Sequence, residues 1–119
     1  MGNIKVIKGT VIRGTGDGKK IGFPTANINP ESDISDLKHG VYACDVLVVG
    51  KKYKGVAHFG PRAVFGEINP QFEVHILDFD LEIYGKIVDV YLNKYLRKTK
   101  NFNSVEELRK QISIDIERI

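Results

Sequence analysis

A single cysteine, Cys44, is the only thiol among the 119 residues. An internal disulfide is therefore excluded, as is any metal-ligand cluster of the CxxC kind. No apolar run is long enough for a signal peptide or a membrane span, so the expected location is the cytoplasm and no membrane partner is expected. The sixth residue is neither Ser nor Thr, so N-myristoylation is not indicated. The phosphate loop GxxxxGK followed by Ser or Thr is absent, and the one glycine-rich stretch does not lead into the helix of a dinucleotide fingerprint. No linker, repeat or low-complexity tract divides the chain, and 13.4 kDa has room for one core, so residues 1–119 are expected to form a single domain.

What is present is mostly strand. "IKVIKGTVI" (4–12) can open a sheet. "GVYACDVLVVGKKYKGVAHFG" (40–60) predicts two strands joined in a hairpin through Gly50, Lys51 and Lys52. "QFEVHILDF" (71–79) alternates, with Phe72, Val74 and Ile76 on one side and Glu73, His75 and Leu77 on the other. "KIVDVYLNKYL" (86–96) supplies a further strand, and the short connections favour antiparallel pairing. One segment is helical. Ser104 stands at the N-cap with Glu107 three residues on, the capping-box spacing. Val105, Leu108, Ile112, Ile116 and Ile119 then recur at helical intervals as one apolar stripe. The expectation is an all-β-dominated fold, a small antiparallel barrel of five or six strands with one C-terminal amphipathic helix against it. Cys44, inside an apolar strand, is expected to be a buried packing residue.

Four places carry residues suited to chemistry. In "RGTGDGKKIGFPTANINP" (13–30), Gly14, Gly16 and Gly18 tolerate unusual dihedrals, and the loop is either a structural turn or a cradle of backbone N–H groups assisted by Lys19 or Lys20. Pro24 stiffens the approach to Thr25. Thr25 and Asn27 share a face if the segment is extended, and can either satisfy backbone groups in a turn or act as neutral oxygen ligands completing a magnesium octahedron with phosphate and water. Glu73 and His75 also share a face. If that face lines a cleft, Glu73 is a candidate general base and His75 a wall residue; otherwise both are solvated. In "LRKTKNFNS" (96–104), Phe102 can staple the helix start or help to close over a flat ligand. The net charge of +3 favours anionic partners mildly, RNA and nucleotides alike. Lysines 51, 52, 54, 94, 98 and 100 could line a single-strand groove, but neither an RNP-type aromatic pattern nor a zinc knuckle is visible.

Taken together, "GTGDGKKIGFPTANI", "GVYACDVLV", "YKGVAHFGPRAVFG", "FEVHILDFDLEIYGK" and "YLRKTKNFNSVEELRKQISIDIE" resemble ATP-dependent riboflavin kinase, found freestanding or as the C-terminal module of bifunctional FAD synthetases. The resemblance covers nearly the whole chain and keeps the family's motif order. It implies a six-stranded, Greek-key-like antiparallel barrel. The implied reaction transfers the γ-phosphoryl group of ATP, with Mg²⁺, to the ribityl 5′-hydroxyl of riboflavin, giving FMN and ADP. Carried over by motif, Gly14, Gly16, Gly18 and Lys20 wrap the nucleotide. Thr25 and Asn27 lie at the metal and phosphates, Glu73 is the catalytic base, and Arg97 and Phe102 belong to the flavin site, while His75 stays a candidate ligand-binding wall residue by its place in the strand. The expectation is a monomer whose partners are ATP and riboflavin, not nucleic acid. A binding module that has lost its chemistry is not suggested, since Thr25, Asn27 and Glu73 are all in place. Two departures stand out: "GPRAVF" (60–65) replaces the common "GTRPTF", and "LRKTKNF" replaces "LRPEKNF". The first puts the local loop shape in doubt, and the second removes a proline restraint and a negative charge.

Overall fold

The computed structural model describes residues 4–13, 25–61, 70–79 and 82–119. Six strands form β1 (Lys5–Ile12), β2 (Ala26–Pro30), β3 (Gly40–Val48), β4 (Lys51–Gly60), β5 (Gln71–Ile76) and β6 (Ile87–Arg97), and one helix follows, α1 (Val105–Glu117). The strands close a barrel in the order β1-β2-β5-β4-β3-β6, with every neighbouring pair antiparallel. The step from β2 to β3 passes over β5 and β4, which gives the Greek-key character.

Side-chain alternation sorts each strand into an inner and an outer wall. Ile7 and Val11 of β1, Ile28 of β2, and Tyr42, Cys44, Val46 and Val48 of β3 pack into one buried cluster with Ala57, Phe59, Phe72, Val74, Ile76, Val88, Val90 and Leu92. That cluster fills the barrel, so it leaves no channel through the middle. Val41, Ala43, Val56 and Leu96 point the other way, yet they too are buried, because Ile116 and Ile119 from the C-terminal end cover them. The helix lies on the outer wall of β3, β4 and β6.

Two register shifts in the β3–β6 ladder make room for this packing. Tyr42 pairs with Tyr95 and Val41 with Arg97, so Leu96 is left between two pairings and joins the helix-side cluster. Gly55 marks a close approach. A Cβ there would sit 2.7 Å from the carbonyl oxygen of His75 on the neighbouring strand.

Three details differ from the expectation. The hairpin turns on Val49 and Gly50, with φ of 47° and 78°, and Lys51 already pairs with Val48. Two positive-φ residues give the twist that a two-residue hairpin needs, and glycine supplies the second without strain. The strand expected over 71–79 ends at Ile76, since the chain turns through Asp78 at φ 53°. In α1 the stripe loses Val105, which is 41% exposed, and gains Asp115, which is 1% exposed.

The helix start behaves as the spacing predicts. Ser104 is extended, and its hydroxyl accepts the N–H of Glu107 at 3.2 Å. Glu107 reaches back to the N–H of Asn103 at 2.9 Å, one residue earlier than in the usual box. Leu108 and Ile112 are buried together, with Phe102 packed against them. Burying Leu108 alone contributes about 1.5–3 kcal/mol to holding the helix down.

Candidate active site

Cross-strand pairing carries one line of residues across the outer wall. Ile12 of β1 pairs with Asn27 of β2, and Asn27 with Glu73 of β5. Glu73 pairs with His58 of β4, His58 with Val41 of β3, and Val41 with Arg97 of β6. Directly opposed residues in antiparallel strands project to the same side. Asn27, Glu73, His58 and Arg97 therefore share one face, the face away from the filled barrel. The carboxamide and the carboxylate are immediate cross-strand neighbours.

Next to this line runs a cleft lined by Thr25, Val41, Val56, His58, His75, Arg97, Ile112 and Asp115. Its floor is the outer wall of the barrel, and the helix supplies Ile112 and Asp115 as the opposite side. Thr25 immediately precedes β2, which places its hydroxyl at the cleft two residues before Asn27. Glu73 is 7% exposed although it projects outside the barrel, so its carboxylate is sheltered from bulk water. A sheltered carboxylate next to a polar neighbour is the setting in which a proton can be received during transfer.

At the helix side a buried ion pair sets the geometry. Arg97 donates from Nε to Asp115 Oδ1 at 2.9 Å and from Nη2 to Oδ2 at 2.8 Å, a two-pronged bond. Nη1 donates to the carbonyl of Lys98 at 2.9 Å, and Gln111 Nε2 donates to Asp115 Oδ1 at 3.0 Å. The side chains of Arg97 and Asp115 are 11% and 1% exposed. This pair ties the last residue of β6 to the third turn of α1.

The residues singled out from sequence fall into three groups. Thr25, His75 and Arg97 line the cleft, while Asn27 and Glu73 lie on the same outer face beside it. Phe102 packs on Leu108 and Ile112 at the helix start, the staple-like option of its two. Gly14, Gly16, Gly18, Lys19 and Lys20 lie outside the described residues, as do Arg62, Ala63, Val64 and Phe65 of "GPRAVF". Two polar cleft residues were missed. His58 could have been found from alternation, since Ala57 and Phe59 point inward and leave His58 facing out with Glu73. Asp115 carried a signal as well: it falls three residues after Ile112, on the apolar stripe, where an unpaired carboxylate is costly. Among the described residues no group of three or more His, Cys, Asp and Glu could hold a metal ion. The hard donors here are neutral oxygens with one nearby carboxylate, a set suited to magnesium only when phosphate supplies the remaining ligands.

The family model of riboflavin kinase, Flavokinase, matches residues 1–119. The chain is 43% identical over 109 residues to the trifunctional protein RibF/MnmA of Mycoplasmoides gallisepticum, covering 92% of this chain and 17% of that one. It is 41% identical over 116 residues to the bifunctional riboflavin kinase/FMN adenylyltransferase of Escherichia coli, covering 97% and 37%. The chain thus spans well under half the length of these curated relatives. Among solved structures, riboflavin kinase from Trypanosoma brucei superposes with a TM-score of 0.64 at 25% identity, over 94% of this chain and 72% of that one. A Streptococcus pneumoniae chain solved as a macrolide-efflux protein superposes at 0.83 with 36% identity, over 94% and 37%. No helix among the described residues is long and apolar enough to cross a membrane.

Proposed function

The chain belongs to the riboflavin kinase family, and we propose that it acts as an ATP:riboflavin 5′-phosphotransferase, moving the γ-phosphoryl group of ATP onto the ribityl 5′-hydroxyl to give FMN and ADP. The observation that carries this reading is the ladder adjacency of Asn27 and Glu73 beside a cleft that also contains Thr25. Phosphoryl transfer demands little covalent chemistry from a protein. It demands that a hydroxyl be aligned with the γ-phosphorus and that its proton have somewhere to go.

Each residue then has a defined task. Glu73 accepts a hydrogen bond from the acceptor hydroxyl, orients its lone pair, and takes the proton as the new P–O bond forms. Thr25 and Asn27 would hold Mg²⁺ through the hydroxyl and the carboxamide oxygen. When bound, the ion would offset charge on the phosphate oxygens. Val41, Val56 and Ile112 make part of the cleft's lining apolar, which would limit the water that competes with the acceptor hydroxyl. Gly14, Gly16, Gly18 and Lys20 are assigned to the nucleotide by the family pattern, with backbone N–H groups and one ammonium as the phosphate donors. On this reading the domain works as a monomer in the cytoplasm.

The single-strand nucleic-acid reading loses ground on the surface. Lys51 lies over the ring of Tyr53 and Lys52 over that of Tyr91, each 5.6 Å from the centroid, and Lys38 lies 4.5 Å over Tyr95. Rings covered by lysines are poorly offered to bases as stacking platforms. The deciding experiment incubates the purified chain with riboflavin, ATP and Mg²⁺ and separates the flavins by chromatography. FMN with matching ADP is expected. Riboflavin recovered unphosphorylated, from folded protein, would reject the reading.

A further inference from the structure

Asp115 is buried in a helix stripe where leucine would pack. A buried ion pair is a poor device for docking a helix, because apolar residues of similar volume often serve stability as well or better. The pair has a second property that leucine could not supply. A guanidinium offers five N–H groups, and among the described residues the bonds to Asp115 Oδ1, Asp115 Oδ2 and the Lys98 carbonyl engage three of them. One N–H on Nη1 and one on Nη2 are left over, on a residue that lines the cleft beside Val41, Val56 and Ile112. Their donor strength comes without net charge, since the Asp115 carboxylate lies 2.8 Å from Nη2. A donor of this kind suits an uncharged carbonyl on an otherwise apolar body. An anionic group placed there would also meet the carboxylate of Asp115.

We propose that Asp115 is a positioning residue for the phosphoryl acceptor: by gripping and neutralising Arg97 it makes this end of the cleft selective for the uncharged, carbonyl-bearing ring of the flavin. The proposal rests on the phosphotransfer reading above for the identity of the acceptor. It requires Arg97 to be aimed by Asp115, with Gln111 of the same helix donating to Oδ1 of that carboxylate and holding it in place.

The test measures riboflavin dissociation by quenching of flavin fluorescence, alongside KM values, on the full chain. The paired variant Arg97→Met with Asp115→Leu replaces the ion pair by apolar bulk. Its helix amides should stay protected over 105–117, while the Kd for riboflavin rises about tenfold, the effect of losing a charge-assisted bond. The change should fall on riboflavin rather than on the KM for Mg–ATP. A wild-type riboflavin Kd in that variant would show that the bridge only pins the helix, and would overturn the proposal. If the pair does not fold, Asp115→Asn decides. It should weaken riboflavin binding and lose the preference for neutral riboflavin over riboflavin ionised at its ring imide, and an unaltered preference overturns the proposal. A wild-type chain that binds riboflavin without phosphorylating it refutes the kinase reading alone, and the variant Kd values still decide the role of Asp115. A wild-type chain that binds no riboflavin refutes both.

Discussion

Replacing Glu73 by glutamine isolates one chemical property on the outer face beside the cleft. The side chain keeps its volume, and the ladder bonds that join β5 to β2 and β4 are main-chain bonds that the change does not touch. The residue is 7% exposed, so the new amide occupies the same sheltered place between Asn27 and His58. What is lost is the capacity to accept the hydroxyl proton. A positioned general base is worth about 10²- to 10⁴-fold in rate, which is about 3–5 kcal/mol at 1.36 kcal/mol per tenfold. The expected phenotype is therefore near-normal binding of riboflavin and Mg–ATP with a chemical step slowed by that factor. Steady-state turnover can hide such a loss if FMN release is slow. Rapid-quench single turnover, with enzyme in excess over riboflavin, reads the step directly. Glu73→Asp retains the base but withdraws it by one methylene, and should fall between wild type and Glu73→Gln, since small misplacements cost rate. A folded Glu73→Gln variant with a wild-type single-turnover rate would refute the base assignment whatever its steady-state behaviour.

Further outcomes follow from other parts of the molecule. Leu108→Ala removes a side chain with no exposed surface and should destabilise the fold by about 2–5 kcal/mol in urea titration; a loss under about 1 kcal/mol would mean the helix is not held by this contact. Thr25→Ala should leave the circular-dichroism spectrum intact but raise the Mg²⁺ concentration needed for half-maximal activity, and an unchanged magnesium dependence would remove Thr25 from the metal site. Burial pushes the Cys44 thiol up from 9.0 to about 12, so the folded state holds its proton where the unfolded chain has released it. Stability from this group is intact below pH 9 and declines as pH rises from 9 towards 12, by up to about 1.4 kcal/mol per unit. Cys44→Ala should flatten that alkaline slope, and labelling of the native thiol at pH 8 should proceed only at the rate of opening.

Much of the site was legible because strand alternation is a local property. Glu73 and His75 oppose Phe72, Val74 and Ile76 in the sequence, and they do so in the barrel. Capping at Ser104 was equally local. The cleft's composition was not, because it depends on register between distant strands. Nothing within "PTANI" reveals that Asn27 pairs with Glu73 rather than with a residue one step away, and a one-residue slip would turn the carboxylate to the other wall. Leu96 shows the same limit. Simple alternation groups it with Leu92, but two register shifts send Leu92 into the barrel and Leu96 under the helix. Arg97 was assigned to the flavin site by resemblance alone. Its bond to Asp115 spans 18 residues of sequence and a change from strand to helix, which no periodicity encodes.

The location of the cleft follows from the size of the barrel. Six short strands enclose a space that Tyr42, Phe59, Phe72 and the aliphatic residues already fill, so no ligand can enter the interior. A binding site must then be made on the outer wall, where a strand alone offers only a shallow surface. The helix turns that surface into a cleft by standing across Val41, Ala43, Val56 and Leu96. Ile116 of the helix and Ile119 just beyond it supply the adhesion, while Ile112 and Asp115, up to a turn earlier and also buried, line the cleft. The same amphipathic segment thus has two tasks at different points along its length. Substitutions at its C-terminal end should act on stability alone, and those at buried Ile112 or Asp115 on stability and on the acceptor together.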